Sequence, residues 1–172
     1  MPPGTGYGTM DLSGRVALVT GGGQGLGGTI ALALARAGAD VAIHYNSSSE
    51  KAAGIVAEIE AVGRAAVAFQ ADVGDGAQCV ELARKMMAWK GRCDIFVSNA
   101  GMGQGSGVVQ TSDDEWNRTM AVNCMATFIL TRELLPHMVA AKFGRVITMS
   151  SNVGVKPKHR DALRFWWRKV CH

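Results

Sequence analysis

Between Arg15 and Gly27 the chain reads RVALVTGGGQGLG. Its first six residues form a short β-branched run, the signature of a buried strand. From Gly25 to Ala37 small and apolar residues continue without proline, which suits a helix packed closely on a sheet. A glycine loop between such a strand and helix has a physical use. Gly25 and Gly27 let the backbone approach a pyrophosphate, and the helix N-terminus supplies unpaired N–H groups at the positive end of its dipole. Glycines also serve merely to turn a chain; their place at a strand-to-helix turn is what favours phosphate binding. No Gly-Lys-Ser/Thr follows, which argues against an ATP-type phosphate loop.

The alternation continues outward from that stretch. DVAIHY (Asp40–Tyr45), AAVAFQ (Ala65–Gln70), DIFVSN (Asp94–Asn99) and RVITMS (Arg145–Ser150) read as four more strands. Ser47, Ser48 and Ser49 offer caps to a helix running to about Val62, with Ile55, Val56, Ile59 and Val62 on one face. A third helix is expected over Ala77–Trp89. A fourth starts at Ser112-Asp113-Asp114-Glu115, by capping and acidic first-turn charge, and reaches His137 or beyond. Five strands alternating with four helices imply a three-layer α/β fold with a parallel, doubly wound sheet. No internal repeat or second domain is visible.

Length and composition agree with one soluble domain: 172 residues, nearly half of them hydrophobic and a fifth charged. No apolar run approaches the ~20 residues of a membrane helix and no charged-then-apolar leader opens the chain, so a cytoplasmic location is expected. Cys79, Cys93, Cys124 and Cys171 are scattered, without a CxxC pair or zinc-spaced histidines, and read as reduced structural thiols; no metal site is expected. The net charge of +4 is uneven. Residues 155–172 carry six basic residues against Asp161, whereas the preceding 154 hold 12 basic and 13 acidic. Basicity therefore belongs to the tail, and neither nucleic acid nor membrane is indicated as a partner of the domain. Residues 1–10, MPPGTGYGTM, read as a disordered leader, 11–157 as the domain and 158–172 as an aberrant tail.

The motifs, in order, resemble the short-chain dehydrogenases/reductases of the classical type. Thr20, Gly21, Gly25 and Gly27 match the family's TGxxxGxG, preceded by the typical lead-in DLSGRVALVTGG. Asp72 in ADVGD fits the adenine-contacting Asp after the third strand, with Val73 beside it. Ser98–Gly101, SNAG, matches NNAG with Ser98 in place of the first Asn, which sets Asn99, Ala100 and Gly101 at the cofactor. Asn123 in VNCMATFILT matches the active-site Asn, and Ser151 in SSNVG the catalytic Ser. The resemblance covers residues 11–154 and implies a Rossmann-like fold, a nicotinamide dinucleotide and a small carbonyl or alcohol substrate, with 3-oxoacyl-carrier-protein reductases and glucose dehydrogenases among the similar members. It also implies cofactor contacts from Gln24 and Leu26 in the loop. NAD-preferring members place an acid at the end of the second strand to bind the ribose hydroxyls. Here Tyr45, Asn46 and Ser47 are neutral donors, which favours NADP(H) over NAD(H), although Gln24 stands where many NADP users have a cation.

The resemblance also implies a Tyr-x-x-x-Lys pair twelve to fourteen residues after Ser151, the Tyr as general acid and the Lys lowering its pKa. Leu163, Arg164 and Phe165 hold those positions, and the chain's tyrosines are Tyr7 and Tyr45. By the same resemblance, the sixth and seventh strands, their helices and the substrate loop are expected to lie outside these 172 residues. An incomplete sheet is therefore expected, with Met120, Phe128, Leu130 and Leu134 left half exposed and the family's homo-oligomer interface incomplete. Three readings fit Lys156–His172: a basic, aromatic extension, the new terminus of a cofactor-binding pseudoenzyme, or the product of a truncated or frameshifted gene. The abrupt change of composition after VGVKP favours the third.

Overall fold

The structure is a computed structural model that describes residues 10–103 and 108–151. The leader through residue 9, Tyr7, Gly154, and the tail with Leu163 to Phe165 lie outside the described residues. Five strands, β1 (Val16–Val19), β2 (Asp40–Tyr45), β3 (Ala66–Gln70), β4 (Ile95–Ser98) and β5 (Arg145–Thr148), form one sheet in the order β3-β2-β1-β4-β5. Every pairing is parallel, with Ala17 opposite both Val41 and Ile95. The doubly wound architecture expected from the alternation is present.

Side chains of a strand alternate between faces, so the central strands feed two cores. Ala17, Val19, Val41, Ile43, Ile95 and Val97 meet α1 (Gly25–Arg36) and α2 (Ser49–Ala61) through Ala31, Ala35, Ala52 and Ile59. Small residues on α1 bring its axis close to the sheet, as the sequence predicts. On the other face Leu18, Ala42 and Phe96 meet α3 (Gly76–Lys90) and α5 (Ala126–Ala140) through Leu82, Met86, Leu130 and Leu134.

The caps follow local chemistry. Asp75 accepts from the Ala77 N–H at 2.8 Å to start α3, and Gly91, at φ 68°, ends it in the left-handed region. Ser112 and Glu115 close a capping box on α4 (Asp113–Met120). By contrast, Ser48 sits at the N-cap of α2 without a side-chain capping bond. Val62, read as sharing one face with Ile55, Val56 and Ile59, is 42% exposed because the helix ends at Ala61.

One further expectation is corrected and another refined. The long fourth helix runs from Asp113 past His137 to Ala140 as expected, with a π turn over Ala121–Met125 inserted between α4 and α5. Leu130 and Leu134 are not half exposed but buried, because α5 lays the i, i+4 stripe Ala126, Leu130, Leu134 and Met138 against α3 and the sheet. Phe128 is exposed as expected, with Met125, Leu135 and Val139. All four residues of β5 are exposed, and among the described residues no further strand pairs with that edge.

Candidate cofactor-binding site

Functional side chains gather at the C-terminal ends of β1, β2 and β4. Parallel sheets bind ligands there, where the winding reverses between β1 and β4. Thr20 leaves β1 buried, and its Oγ1 accepts from the N–H groups of Asn99 (3.0 Å) and Ala100 (3.1 Å). The Asn99 amide donates back to the carbonyls of Thr20 and Gly21, at 3.0 and 3.3 Å. These bonds lock the glycine loop to the segment after β4.

Two of the loop's glycines bear directly on the cleft. Gly25 has φ 55°, lines the cleft, and a Cβ there would meet no atom within 4 Å, so the space over it is open for a ligand. At Gly27 a Cβ would stand 2.1 Å from the Gly21 carbonyl oxygen and 2.5 Å from Asn99 Nδ2. The helix start is thus pressed onto the loop, with its first turn free of acidic residues and uncapped by any side chain. Unpaired N–H groups and positive dipole converge on an uncrowded backbone, as an anionic diphosphate requires.

The cleft encloses about 500 Å³. Its walls are the loop from Gly21 to Gly27 (Gly22 aside), the end of β2 from His44 through Tyr45, Asn46, Ser47 and Ser48, the pair Asp72 and Val73, the stretch Asn99–Met102, and Arg118 and Val122 from the fourth helix. Residues separated widely in the sequence, including Gln24, Leu26, Ala100 and Gly101, therefore share one surface. Thr20 is the exception, buried behind it.

Three polar residues of this region were not singled out by the sequence. His44 is buried, its Nδ1 accepting from the Gly21 N–H at 3.1 Å. That obligatory donor leaves the proton on Nε2, which donates to the Ala71 carbonyl at 3.0 Å. Arg118, on α4, donates to Asp72 Oδ1 at 2.7 Å, where the Gly74 N–H also donates at 2.9 Å. The guanidinium holds the Asp72 carboxyl below the usual range and is itself raised by the carboxylate. Lys51, on α2, donates to Gln24 Oε1 at 2.9 Å. Each partner lies 23 to 46 residues away. The only local signals were a histidine inside an apolar strand and single cations on helix surfaces.

Burial pushes the His44 pKa below its ordinary 6.5, against opposing effects of the Ala71 bond and the Asp72 charge. Below pH 6.5 the unfolded chain therefore binds a proton that the folded chain refuses. Stability is full above that pH and declines as pH falls toward the lowered folded value, by up to about 1.4 kcal/mol per pH unit. Urea titrations between pH 7.5 and 5.5 are expected to show this decline, and His44→Gln to flatten it. An equal slope in the variant would contradict the assignment.

Asn123 lies in the π turn, a distortion that recurs at functional sites. Its Oδ1 accepts from the Met102 N–H at 2.9 Å and its Nδ2 donates to the Met102 carbonyl at 2.8 Å. The amide clasps the cleft wall, leaving its second N–H and second lone pair for a water. Ser151 is exposed past the end of β5 and is not part of the cleft wall. Burial raises the Cys79 and Cys93 thiols to about 11 and about 12, so both are protonated, inert fillers of the core.

Residues 15–162 match the family model described as short chain dehydrogenase. A short chain dehydrogenase/reductase of Aspergillus aculeatus is 41% identical over 151 residues, which are 86% of this chain and 56% of that protein. A hydroxynaphthalene reductase of Aspergillus fumigatus is 43% identical over 142 residues, 83% of this chain and 51% of the relative. The chain thus spans about half the length of the curated relatives it matches. Among solved structures, a metagenomic short-chain oxidoreductase in complex with NADP superposes with a TM-score of 0.83 at 36% identity, over 90% of this chain and 70% of that one. A short chain dehydrogenase from Burkholderia cenocepacia, also in complex with NADP, gives 0.80 at 34% identity, over 90% and 62%.

Proposed function

The chain belongs to the short chain dehydrogenase family, and from that premise we propose that it binds a nicotinamide dinucleotide, NADP(H) in preference to NAD(H), in the cleft at the end of its sheet. The observation that carries this reading is the contact at Gly27, where only a missing side chain lets the α1 N-terminus close on the loop. In this reading the first turn of α1 takes the pyrophosphate. Asp72, steadied by Arg118, faces the adenine, with Val73 beside it. Tyr45, Asn46 and Ser47 supply uncharged donors at the adenosine ribose, and Asn99 to Gly101 border the nicotinamide half. The bound cofactor supplies or accepts hydride; the protein excludes water and fixes geometry.

The lineage activity we infer is carbonyl reduction or the reverse alcohol oxidation. Resemblance to a hydroxynaphthalene reductase supports a reductase of small carbonyl compounds. In the family role Ser151 hydrogen-bonds the substrate oxygen and Asn123 orients a water. The sequence lacks the Tyr and Lys that would move the proton, and a positioned general acid contributes roughly 10²–10⁴-fold. We therefore infer a cofactor-binding portion with little or no turnover of its own, working in the cytoplasm. The second reading is a catalytically dead nucleotide-binding or interaction protein, and the same missing pair favours it. A gene fragment is the third.

The test is NADPH binding alongside a broad carbonyl panel followed by loss of NADPH absorbance. Binding without turnover is expected. Clear turnover would overturn the account of the missing acid, and a folded chain that binds no dinucleotide would overturn the cofactor assignment.

A further inference from the structure

We propose that Lys51 is the residue that reads the 2′-phosphate of the cofactor, acting with Gln24 across the gap between α2 and the glycine loop. The proposal rests on the dinucleotide reading above. A 2′-phosphate is close to a dianion and needs a cation or several charge-assisted donors. The loop itself offers none, because Gln24 is neutral. Yet Lys51 Nζ lies 2.9 Å from Gln24 Oε1, so α2 carries an ammonium to the loop's rim. Gln24 lines the cleft. With Oε1 accepting from Lys51, the Gln24 Nε2 keeps two donors for an anion beside the ammonium.

The packing holds this pair in place. A Cβ on Gly23 would stand 3.2 Å from Ala52 Cβ and 3.3 Å from Tyr45 Cβ, so the loop rests directly on the first turn of α2 and the end of β2. Lys51 precedes Ala52 and is thereby kept next to Gln24. The same rim carries Tyr45, Asn46, Ser47 and Ser48, and Ser48 does not commit its hydroxyl to capping α2. Among the described residues Asp72 is the one carboxylate of the cleft wall, and it is already paired with Arg118. Glu50 adjoins Lys51 in sequence, but neighbours at i, i+1 on a helix do not face each other. The rim is thus a set of donors with one added cation and no unpaired acid, and it discriminates by the phosphate that NADPH has and NADH lacks.

Dissociation constants for NADPH and NADH, measured by calorimetry on the full chain, test this directly. The wild type is expected to prefer NADPH. Lys51→Met is expected to weaken NADPH about tenfold, as loss of one charge-assisted contact does, with NADH within twofold of wild type. Lys51→Arg is expected to restore most of the NADPH affinity, and the salt dependence of NADPH binding is expected to shrink in Lys51→Met. Equal losses for both dinucleotides, no loss for either, or a wild type without NADPH preference would overturn the role of Lys51 while leaving the cofactor site standing. Binding of neither dinucleotide by the folded wild type would overturn both.

Discussion

Gly27→Ala is expected to abolish dinucleotide binding and to destabilise the fold by about 3 kcal/mol or more. The new Cβ would sit 2.1 Å from the Gly21 carbonyl oxygen and 2.8 Å from its carbon. Neither is the tip of a side chain that can swing aside. Gly21 is held on one side by His44 and on the other by the Asn99 amide, and Asn99 is held in turn by Thr20. To admit one methyl group, α1 must lift from the loop, or the loop must leave both partners. Either movement removes the helix N-terminus from the diphosphate. Gly54→Ala is the matched control, since Gly54 lies exposed in α2 with nothing within 4 Å of its Cβ position. It is expected to stabilise the chain by roughly 0.5–1 kcal/mol through helix propensity and to leave binding unchanged. Urea unfolding and NADPH titration of both variants check the pair. A Gly27→Ala protein of wild-type stability and affinity would show that the loop and helix do not meet as described.

Asp94→Ala is expected to cost about 3 kcal/mol with no direct effect on the cleft. Asp94 is 1% exposed at the start of β4. Its Oδ2 accepts from the Val16 N–H at 2.9 Å, and its Oδ1 meets Arg92 at 2.5 Å and Arg15 at 3.3 Å. One carboxylate therefore satisfies a buried N–H of β1 and anchors two cations that remain partly in water. Truncation leaves the N–H unpaired in the core. Asp94→Asn retains an acceptor for Val16 and loses the charge, so its cost should be about half as large. The urea midpoints are expected to fall in the order wild type, Asn, Ala. An Asp94→Ala midpoint equal to wild type would remove this junction from the account of the sheet.

Local patterns made the frame of the fold legible. The five runs read as strands from the sequence begin or end within about two residues of the strands, because each is short, apolar and flanked by polar or glycine residues. Ser112 and Glu115 are three apart, and the capping box formed from that spacing alone. The glycine loop was legible for the same reason: TGGGQGLG sits where a strand must give way to a helix. Long-range bonds were not legible. Nothing near Asn123 announces a π turn, since its amide partner, Met102, is 21 residues away. His44 reads as part of an apolar strand until the fold brings Gly21 and Ala71 to its two nitrogens. The absent Tyr-bearing helix makes Leu130 and Leu134 read as half exposed, whereas α3, some fifty residues earlier, covers them. Phe128, a few positions away on the other face of α5, is left bare with Leu135 and Val139.

The cofactor assignment makes one direct demand of the folded chain: NADPH must bind it with a stoichiometry of one, and the binding must disappear in Gly27→Ala while persisting in Gly54→Ala. Calorimetric titration of the three proteins, each first shown by circular dichroism to be folded, measures this. Saturable one-to-one binding by wild type and Gly54→Ala is the result expected. A folded wild-type chain that takes up no NADPH or NADH, or a Gly27→Ala chain that binds as well as wild type, would contradict it.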